Sequence, residues 1–271
     1  MPLATSRRML IAGSGSALAL GCARQGARPQ IGVQLYTLRS MMAQDLPGTL
    51  RAVAAIGYAE VEFAGYFDVA PREVKRALAD VGLTAPASHI GALAARDNPG
   101  PLIEAAATVG HETLVIAWLP PEERQTMDQW RGWADVINRF AAQCRSAGLK
   151  FAYHNHDFEF APIDGVKPFD ALLQRCDPAL VEFELDLYWA ALAGEDPGAI
   201  LAAHPARFTM CHVKDMDSAH AMVDVGAGQI DFAGIFARHR FAHYFVEHDQ
   251  PTDPLASITA SYATMQRLLS A

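Results

Sequence analysis

The chain has 271 residues, 51% of them apolar, and it carries 22 lysines and arginines against 30 aspartates and glutamates. This length and apolar content suit a single α/β domain with a large buried core, and they exclude disorder and collagen-like repetition. The net charge of −8 excludes a general electrostatic attraction for nucleic acid, because phosphate contacts need clustered lysine and arginine.

The first 22 residues differ in character from the rest of the chain. Arg7 and Arg8 precede a short run of small and apolar residues that ends at Cys22. A pair of arginines before a modest hydrophobic stretch is typical of a twin-arginine export signal, so we expect export to the periplasm. The run is shorter than the roughly 20 residues of a membrane span. The residues before Cys22 resemble a lipoprotein cleavage site, which leaves open lipidation of Cys22 or simple cleavage nearby.

Removal of residues 1–21 takes away two arginines and lowers the net charge from −8 to −10. Residues 23–30 are then a linker, and residues 31–271 form the folded domain. Three cysteines remain in that domain, at positions 144, 176 and 211. An odd number at wide spacing does not indicate a disulfide framework, so we expect buried, free thiols that pack as small hydrophobic side chains.

Beyond residue 30, short apolar runs alternate with longer amphipathic stretches. The predicted strands are 31–36, 59–63, 84–88, 113–118, 150–155, 181–186, 208–213 and 243–247. The predicted helices are 47–56, 71–81, 99–109, 127–147, 169–175, 197–203, 232–238 and 254–269.

The glycine and proline positions agree with this alternation. Glycines stand where four helices end before a strand begins, and prolines stand near helix starts, where a missing N–H does no harm. Eight alternating β and α units predict a single (β/α)8 barrel. The alternative is an open doubly wound sheet. Its dinucleotide-binding form is disfavoured because no Gly-x-Gly-x-x-Gly follows the first strand.

In such a barrel, catalytic groups lie where the strands end and the following loops begin. Polar residues occupy these positions in seven of the eight predicted strands: Gln34 and Tyr36, Glu62, His89, His154 to His156, Asp186, His212 to Asp215, and Glu247 to Asp249. A single such residue is usually structural. Carboxylates and imidazoles that converge from four consecutive strands, the fifth to the eighth, repel one another or lose hydration unless a cation neutralises them. A divalent metal removes this conflict.

Side-chain alternation within each strand indicates which residues face the site. Glu184 and Asp186 share one face, and Asp186 lies nearer the rim of the barrel. By the same alternation, His154 and His156 share one face of their strand, and His212 and Lys214 share one face of theirs.

Five segments together resemble the sugar phosphate isomerase/epimerase family of xylose isomerase-like TIM barrels, and the resemblance covers nearly all of residues 31–270. The segments are Gly-Val-Gln-Leu-Tyr-Thr-Leu-Arg (32–39), Tyr-His-Asn-His-Asp-Phe-Glu-Phe (153–160), Glu-Leu-Asp-Leu-Tyr-Trp (184–189), His-Val-Lys-Asp-Met-Asp (212–217) and Phe-Val-Glu-His-Asp-Gln (245–250). The resemblance implies one divalent metal, often Mn²⁺, held by Glu, Asp, His and Glu. Transferred by position, the metal ligands are His154, Asp186, His212 and Glu247.

His154 stands where many family members have glutamate. It therefore removes one of the two glutamates between which family epimerases exchange a proton beside a ketose carbonyl. Glu159 is the alternative fourth ligand or base or, more in keeping with its loop position, a substrate contact. Two histidines and two carboxylates suit Mn²⁺, Zn²⁺, Fe²⁺ or Co²⁺ better than Mg²⁺. We expect Mn²⁺, followed by Zn²⁺.

The other polar residues receive roles by their reach. Glu247 or His156 is the predicted base, and Lys214 would stabilise an oxyanion or hold a sugar hydroxyl. The structural alternative for Lys214 is a salt bridge with Asp215 or Asp186, and that for His156 is a hydrogen bond that supports a ligand. The predicted substrate-binding residues are Gln34, Glu62, His89, Glu159 and Trp189. Glu62, His89 and Trp189 each have a structural alternative.

The predicted function is that of a metal-dependent isomerase, epimerase or lyase that removes a proton beside a metal-polarised carbonyl of a sugar or keto-sugar. Export argues against phosphorylated substrates. If the substrate is a 3-keto-glycoside, the same proton removal can lead either to epimerisation or to elimination of the aglycone. A non-catalytic carbohydrate-binding barrel with a structural metal is the alternative. A metal-dependent abasic-site endonuclease is opposed by the charge of −10.

The expected partners follow from this function. We expect a small carbohydrate as the substrate and no nucleic-acid partner. Membrane contact is expected only through a lipid on Cys22. Monomeric and homo-oligomeric states are both left open.

Overall fold

A computed structural model describes residues 30–270, so the predicted export signal, Cys22 and all of the predicted linker except Gln30 lie outside the described residues. Eight parallel strands form a closed barrel, in which β1 pairs with β2 on one side and with β8 on the other. The strands are β1 Ile31–Gln34, β2 Glu60–Phe63, β3 Thr84–Ile90, β4 Thr113–Ile116, β5 Lys150–His154, β6 Val181–Asp186, β7 Phe208–Val213 and β8 His243–Val246. The predicted (β/α)8 barrel is confirmed, and the closure excludes an open sheet.

Helices surround the barrel between successive strands. They are α1 Arg39–Gln44, α2 Leu46–Ile56, α3 Pro71–Val81, α4 Ala92–Asp97, α5 Pro99–Val109, α6 Met127–Ser146, α7 Pro168–Arg175, α8 Leu187–Leu192, α9 Pro197–Ala203, α10 Phe232–Arg238 and α11 Pro254–Leu268. All eight predicted helices are present with ends within one residue of the prediction. The sequence pattern did not predict α1, α4 and α8, each six residues long, or the short antiparallel pair Asp215–Met216 and Met222–Val223.

Local chemistry explains where the elements begin and end. Gly57 and Gly82, which follow α2 and α3, have φ of +117° and +71°, a left-handed conformation that glycine adopts without strain. The predicted first strand runs to residue 36, but β1 ends at Gln34, because the Gln34 side chain accepts a hydrogen bond from the Tyr36 N–H and starts a 3-10 turn. The fourth strand likewise ends at Ile116 and leaves Trp118 on a loop.

The barrel interior has an apolar layer beneath a polar one. Five buried side chains form the apolar layer: Ala87, Val115, Ala152, Met210 and Phe245. Because strand side chains alternate, Ala152 and His154 point to the same side, as do Met210 and His212. The polar side chains therefore lie above this layer, toward the carboxyl ends of the strands.

Two further expectations concern buried thiols and the membrane. The three cysteines of the described range, Cys144, Cys176 and Cys211, are free and buried, as predicted. Between residues 30 and 270, no helix combines the length and apolar character needed to cross a bilayer.

Candidate active site

Four side chains meet at the carboxyl ends of the last four barrel strands. His154, Asp186, His212 and Glu247 each offer one ligand atom that lies within 4.8 Å of the other three, and all four residues are buried. We call them the rim cluster. His154 Nε2 lies 3.2 Å from an Asp186 carboxylate oxygen, and His212 Nδ1 lies 2.7 Å from a Glu247 oxygen. The four predicted metal ligands are therefore close enough to contact one ion.

A second group lies beside the first and shares His212 with it. Glu62, His89, Glu184 and His212 also bring ligand atoms within 4.8 Å of one another, and we call them the deep cluster. His212 Nε2 lies 2.7 Å from a Glu62 oxygen, and His89 Nε2 lies 3.1 Å from a Glu184 oxygen. Gln34 donates a 2.7 Å hydrogen bond to Glu62. Glu184 was missed as a site residue, although its shared face with Asp186 pointed into the barrel.

The deep cluster is an ion-paired group. Burial by itself would raise the pKa of Glu62, but His89 and His212 outweigh burial and lower this pKa to about 2. Burial would lower the pKa of His89, and the carboxylates of Glu62 and Glu184 instead raise it to about 9. Glu62 is therefore ionised at neutral pH and His89 carries a positive charge.

Several buried polar atoms of these clusters lack a hydrogen-bond partner among the described residues. They include Oε1 of Glu62, Oε1 of Glu184 and Nδ1 of His154. Buried polar atoms are normally paired, so unpaired carboxylate and imidazole atoms in one place indicate that something else satisfies them. The two nitrogen and two oxygen ligands of the rim cluster fit a divalent transition metal. The residues present are thus compatible with the expected ion.

Lys214 is buried within the same region. Its Nζ lies 3.1 Å from Asp186, 2.9 Å from Glu247 and 2.9 Å from Asp249. Burial would lower the pKa of Lys214, but Asp186 and Glu247 raise it well above its ordinary value, so the ammonium stays charged. Asp215 does not pair with Lys214, because its carboxylate accepts hydrogen bonds from backbone N–H groups of the 226–230 loop.

His156 and Trp189 lie next to the rim cluster. Burial, assisted by the positive charge of Lys214, lowers the pKa of His156 to about 3, so its imidazole is neutral at pH 7. The His156 ring stacks on Phe158 with a centroid distance of 5.3 Å and lies 5.4 Å from the Trp189 ring. The Trp189 backbone N–H donates to Asp186, which caps α8.

Glu159 belongs to neither cluster. One of its oxygens accepts a 2.8 Å hydrogen bond from the Tyr153 hydroxyl, and the other accepts a 2.7 Å bond from the His156 N–H. Complete burial raises the pKa of Glu159 to about 8. With both oxygens engaged, Glu159 holds the β5 loop in the described conformation.

A cavity of about 710 Å³ opens above the rim cluster. Its polar wall consists of His89, His154, His156, Lys214, Glu247 and Asp249. Among the predicted substrate-binding residues, His89 lines this cavity. Four others do not: Gln34, Glu62, Glu159 and Trp189. Gln34 and Glu62 lie deeper, hydrogen-bonded to each other.

Comparison with known proteins gives a family and a partial sequence match. The family model described as "Xylose isomerase-like TIM barrel" matches residues 50–244. The inosose dehydratase of Clostridium beijerinckii is 28% identical over 89 residues, which are 33% of this chain and 29% of that enzyme. The chain therefore matches less than a third of the length of this relative.

Solved structures share the whole fold. A sugar phosphate isomerase/epimerase from Parabacteroides distasonis superposes with a TM-score of 0.79 at 24% identity, over 90% of this chain and 96% of that one. The IOLI protein, whose structure holds a zinc atom, has a TM-score of 0.70 at 15% identity, over 89% of this chain and 98% of that one. At these identities the likeness demonstrates a common barrel.

Proposed function

The chain belongs to the xylose isomerase-like TIM barrel family, and from this premise we propose that it is a metal-dependent enzyme that removes a proton beside the carbonyl of a sugar or keto-sugar. The observation that carries the proposal is the rim cluster, in which four buried ligand atoms from consecutive strands lie within 4.8 Å of one another. Such a cluster at the carboxyl end of a barrel is where enzymes of this fold place their chemistry.

The rim cluster would hold one divalent metal, and we propose Mn²⁺ ahead of Zn²⁺. The zinc atom in the IOLI structure supports a metal in this family. When bound, such an ion polarises a carbonyl oxygen and stabilises the negative charge that develops on it. His154, Asp186, His212 and Glu247 supply two nitrogens and two oxygens to it, a set that favours a transition metal over Mg²⁺.

His156 is our proposed base. It lines the cavity beside His154, and a neutral imidazole is the side chain that most often accepts a proton in enzymes. Glu247 is the alternative base, since it also reaches the cavity. Lys214 is charged and forms part of the same wall, so its ammonium can donate a hydrogen bond to an oxygen of the substrate that gains negative charge.

We propose elimination ahead of epimerisation. After the base takes the proton, the C–H electron pair forms an enolate. The group on the next carbon then leaves with its bonding pair as a C=C bond forms beside the carbonyl, and the departing oxygen takes up the proton that the base removed. Epimerisation would instead require a second acid on the opposite face of the substrate. His154 occupies one candidate position, and both oxygens of Glu159 are engaged elsewhere.

The substrate we propose is an unphosphorylated keto-sugar, keto-cyclitol or 3-keto-glycoside. The partial match to an inosose dehydratase supports this choice, because an inosose is the ketone of a cyclitol and dehydration is an elimination. The Arg7 and Arg8 pair supports a location outside the cytoplasm, where phosphorylated metabolites are not available.

Metal analysis combined with deuterium exchange tests the proposal. The purified mature protein should contain about one Mn²⁺ or Zn²⁺ per chain. In D₂O it should exchange the proton beside the carbonyl of methyl 3-keto-β-D-glucoside or an inosose, as followed by NMR. The isosteric Asp186→Asn variant should lose both metal and exchange.

Two results would contradict this function. Protein that folds but binds no divalent metal would remove its basis. Full metal content with saturable sugar binding and no exchange would instead support a carbohydrate-binding barrel with a structural metal.

A further inference from the structure

The cavity above the rim cluster has two walls of different chemistry. The wall described above comes mainly from residues that follow β5, β7 and β8 and carries imidazole, ammonium and carboxylate groups. The opposite wall is formed by residues at the ends of the first four strands and in the loops that follow them: Tyr36, Ala64, Gly65, Ile90, Gly91, Ala92, Leu93, Ala94, Ala117, Trp118 and Pro120. This second wall, which we call the apolar wall, contains no charged side chain.

Large apolar side chains on the apolar wall are exposed to solvent. Tyr36, Leu93 and Trp118 are 43%, 37% and 47% exposed. Among the described residues only one other large hydrophobic side chain, Val166, is exposed to this degree. Three of four such residues therefore line one cavity, and exposed apolar groups that cluster in a concave site usually contact a ligand.

The two aromatic rings of this wall are held by neighbouring arginines. The Arg39 guanidinium lies over the Tyr36 ring at 4.1 Å from its centroid and donates hydrogen bonds to the carbonyls of Tyr36 and Asp249. The Arg124 guanidinium lies 5.9 Å from the centre of the Trp118 ring and 3.3 Å from that of Phe158. Such cation–π contacts orient the rings before a ligand arrives.

The size of the cavity indicates a ligand larger than one sugar ring. Its volume of about 710 Å³ lies in the range of sites that enclose drug-sized molecules. A polar sugar ring is matched by the charged wall, which leaves the apolar wall for a part of the substrate that is not sugar. Flat aromatic faces such as those of Tyr36 and Trp118 stack well on another ring.

We propose that Tyr36, Leu93 and Trp118 form a subsite for the aromatic aglycone of a glycoside whose keto-sugar ring lies against the charged wall. This inference rests on the proposed function, since it adds the second half of the substrate to the same site. The apolar wall carries no charged side chain, so it handles no proton. The subsite therefore determines which glycosides bind, whereas the bond to the aglycone oxygen is the one that the proposed elimination breaks.

Equilibrium binding of unoxidised glycosides tests the subsite apart from the reaction. Phenyl β-D-glucoside and methyl β-D-glucoside have no carbonyl, so neither can lose an activated proton during calorimetry. We expect the metal-loaded protein to bind the phenyl glycoside about tenfold more tightly, a preference of the size that one ring contact provides. Trp118→Ala should abolish most of this preference and leave binding of the methyl glycoside unchanged.

Leu93→Ala and Val166→Ala complete the set of variants. Leu93→Ala should reduce the phenyl preference about threefold, and Val166→Ala, which shortens an exposed side chain outside the cavity, should leave it unchanged. Trp118→Phe should restore part of the preference. Circular dichroism checks that each variant is folded.

Specific outcomes would overturn the subsite. The subsite is overturned if the parent protein binds the two glycosides with equal affinity. It is also overturned if Trp118→Ala weakens the binding of both glycosides by the same factor. If the phenyl preference depends on Trp118 and keto-glycosides undergo no deuterium exchange, the subsite stands and the proposed reaction fails. If keto-glycosides undergo deuterium exchange and the parent protein shows no phenyl preference, the proposed reaction stands and the subsite fails.

Discussion

The two ring nitrogens of His212 contact carboxylates of different clusters. Its Nδ1 lies 2.7 Å from Glu247 in the rim cluster, and its Nε2 lies 2.7 Å from Glu62 in the deep cluster. If Nδ1 binds the metal, the proton is on Nε2 and is donated to the Glu62 carboxylate. A carboxylate behind a metal-binding histidine fixes the tautomer and the orientation of the ring. Glu62 would then act as a positioning residue, which is the structural alternative to the predicted substrate contact.

The Glu62→Gln variant tests this arrangement. It keeps the shape of the side chain and removes the negative charge that stabilises the Nε2 proton, so we expect metal affinity to fall about 10- to 100-fold. Competition with a chromophoric chelator measures the affinity. Glu60→Gln, which removes a charge from the same strand where Glu60 contacts His243, is the control and should retain full affinity. Unchanged affinity in Glu62→Gln would separate Glu62 from the metal site.

Lys214 provides a second prediction for a single residue. In Lys214→Met the ammonium that contacts Asp186 and Glu247 is lost, so we expect deuterium exchange to slow by about 100-fold with metal content retained. Removing one partner of a buried ion pair should also lower the free energy of unfolding by roughly 3–5 kcal/mol.

The matched control for Lys214 is Lys167→Met. Lys167 is partly exposed and lies 2.6 Å from Glu195, outside the cavity. This variant should keep the deuterium exchange rate of the parent, and its free energy of unfolding should fall by at most about 1 kcal/mol. Normal exchange in Lys214→Met would exclude a role for the ammonium in the reaction.

At the scale of elements, α6 has the most complete cap in the described chain. The Thr126 hydroxyl accepts a hydrogen bond from the Gln129 N–H, and the Gln129 side chain accepts one from the Thr126 N–H. This reciprocal pair satisfies backbone groups that the first helical turn leaves free. The cap fixes the start of the helix that precedes β5, the strand that carries His154.

Thr126→Ala should therefore lower the free energy of unfolding by about 1 kcal/mol, as measured by urea denaturation, with no change in exchange rate. The control is Thr259→Ala in α11, where the hydroxyl donates to the Leu255 carbonyl within the helix and caps nothing. The free energy of unfolding of Thr259→Ala should differ from that of the parent by less than about 0.5 kcal/mol. A loss of equal size in both variants would show that the cap contributes nothing.

For the whole molecule, Glu159 links folding to pH. Its pKa is raised from about 4.5 to about 8 in the folded protein, because the carboxyl group is completely buried. The unfolded chain releases this proton at lower pH, so the contribution of Glu159 to stability is fully present below about pH 4.5. It is lost as pH rises through about 8.

Glu159→Gln should remove this dependence. Between pH 5 and pH 8, we expect the unfolding free energy of the variant to rise relative to that of the parent by about 4 kcal/mol. Urea denaturation at four pH values measures it, and taking the difference cancels the contributions of the other ionisable groups. A difference that stays constant over this range would show that Glu159 is ionised throughout.

The elements and the facing of their side chains were determined by the sequence alone. Periods of 2 and 3.6 residues, together with prolines and glycines at the ends, are local properties, and they placed eight strands and eight helices correctly. Short helices such as α8 were not predicted, because six residues make less than two helical turns and show no clear periodicity. The grouping of Asp186, His212 and Glu247 also followed from local rules, since parallel strands end at one edge of a barrel.

Only the tertiary structure decided what those side chains contact. Glu62 and His212 are 150 residues apart in the chain and meet through the closure of the barrel. Lys214 contacts Asp186 and Glu247, and Glu159 turns toward Tyr153. The apolar wall likewise assembles from loops after four different strands. Local patterns specify which way a side chain points, whereas distances between remote strands depend on barrel closure and strand register, which no single segment contains.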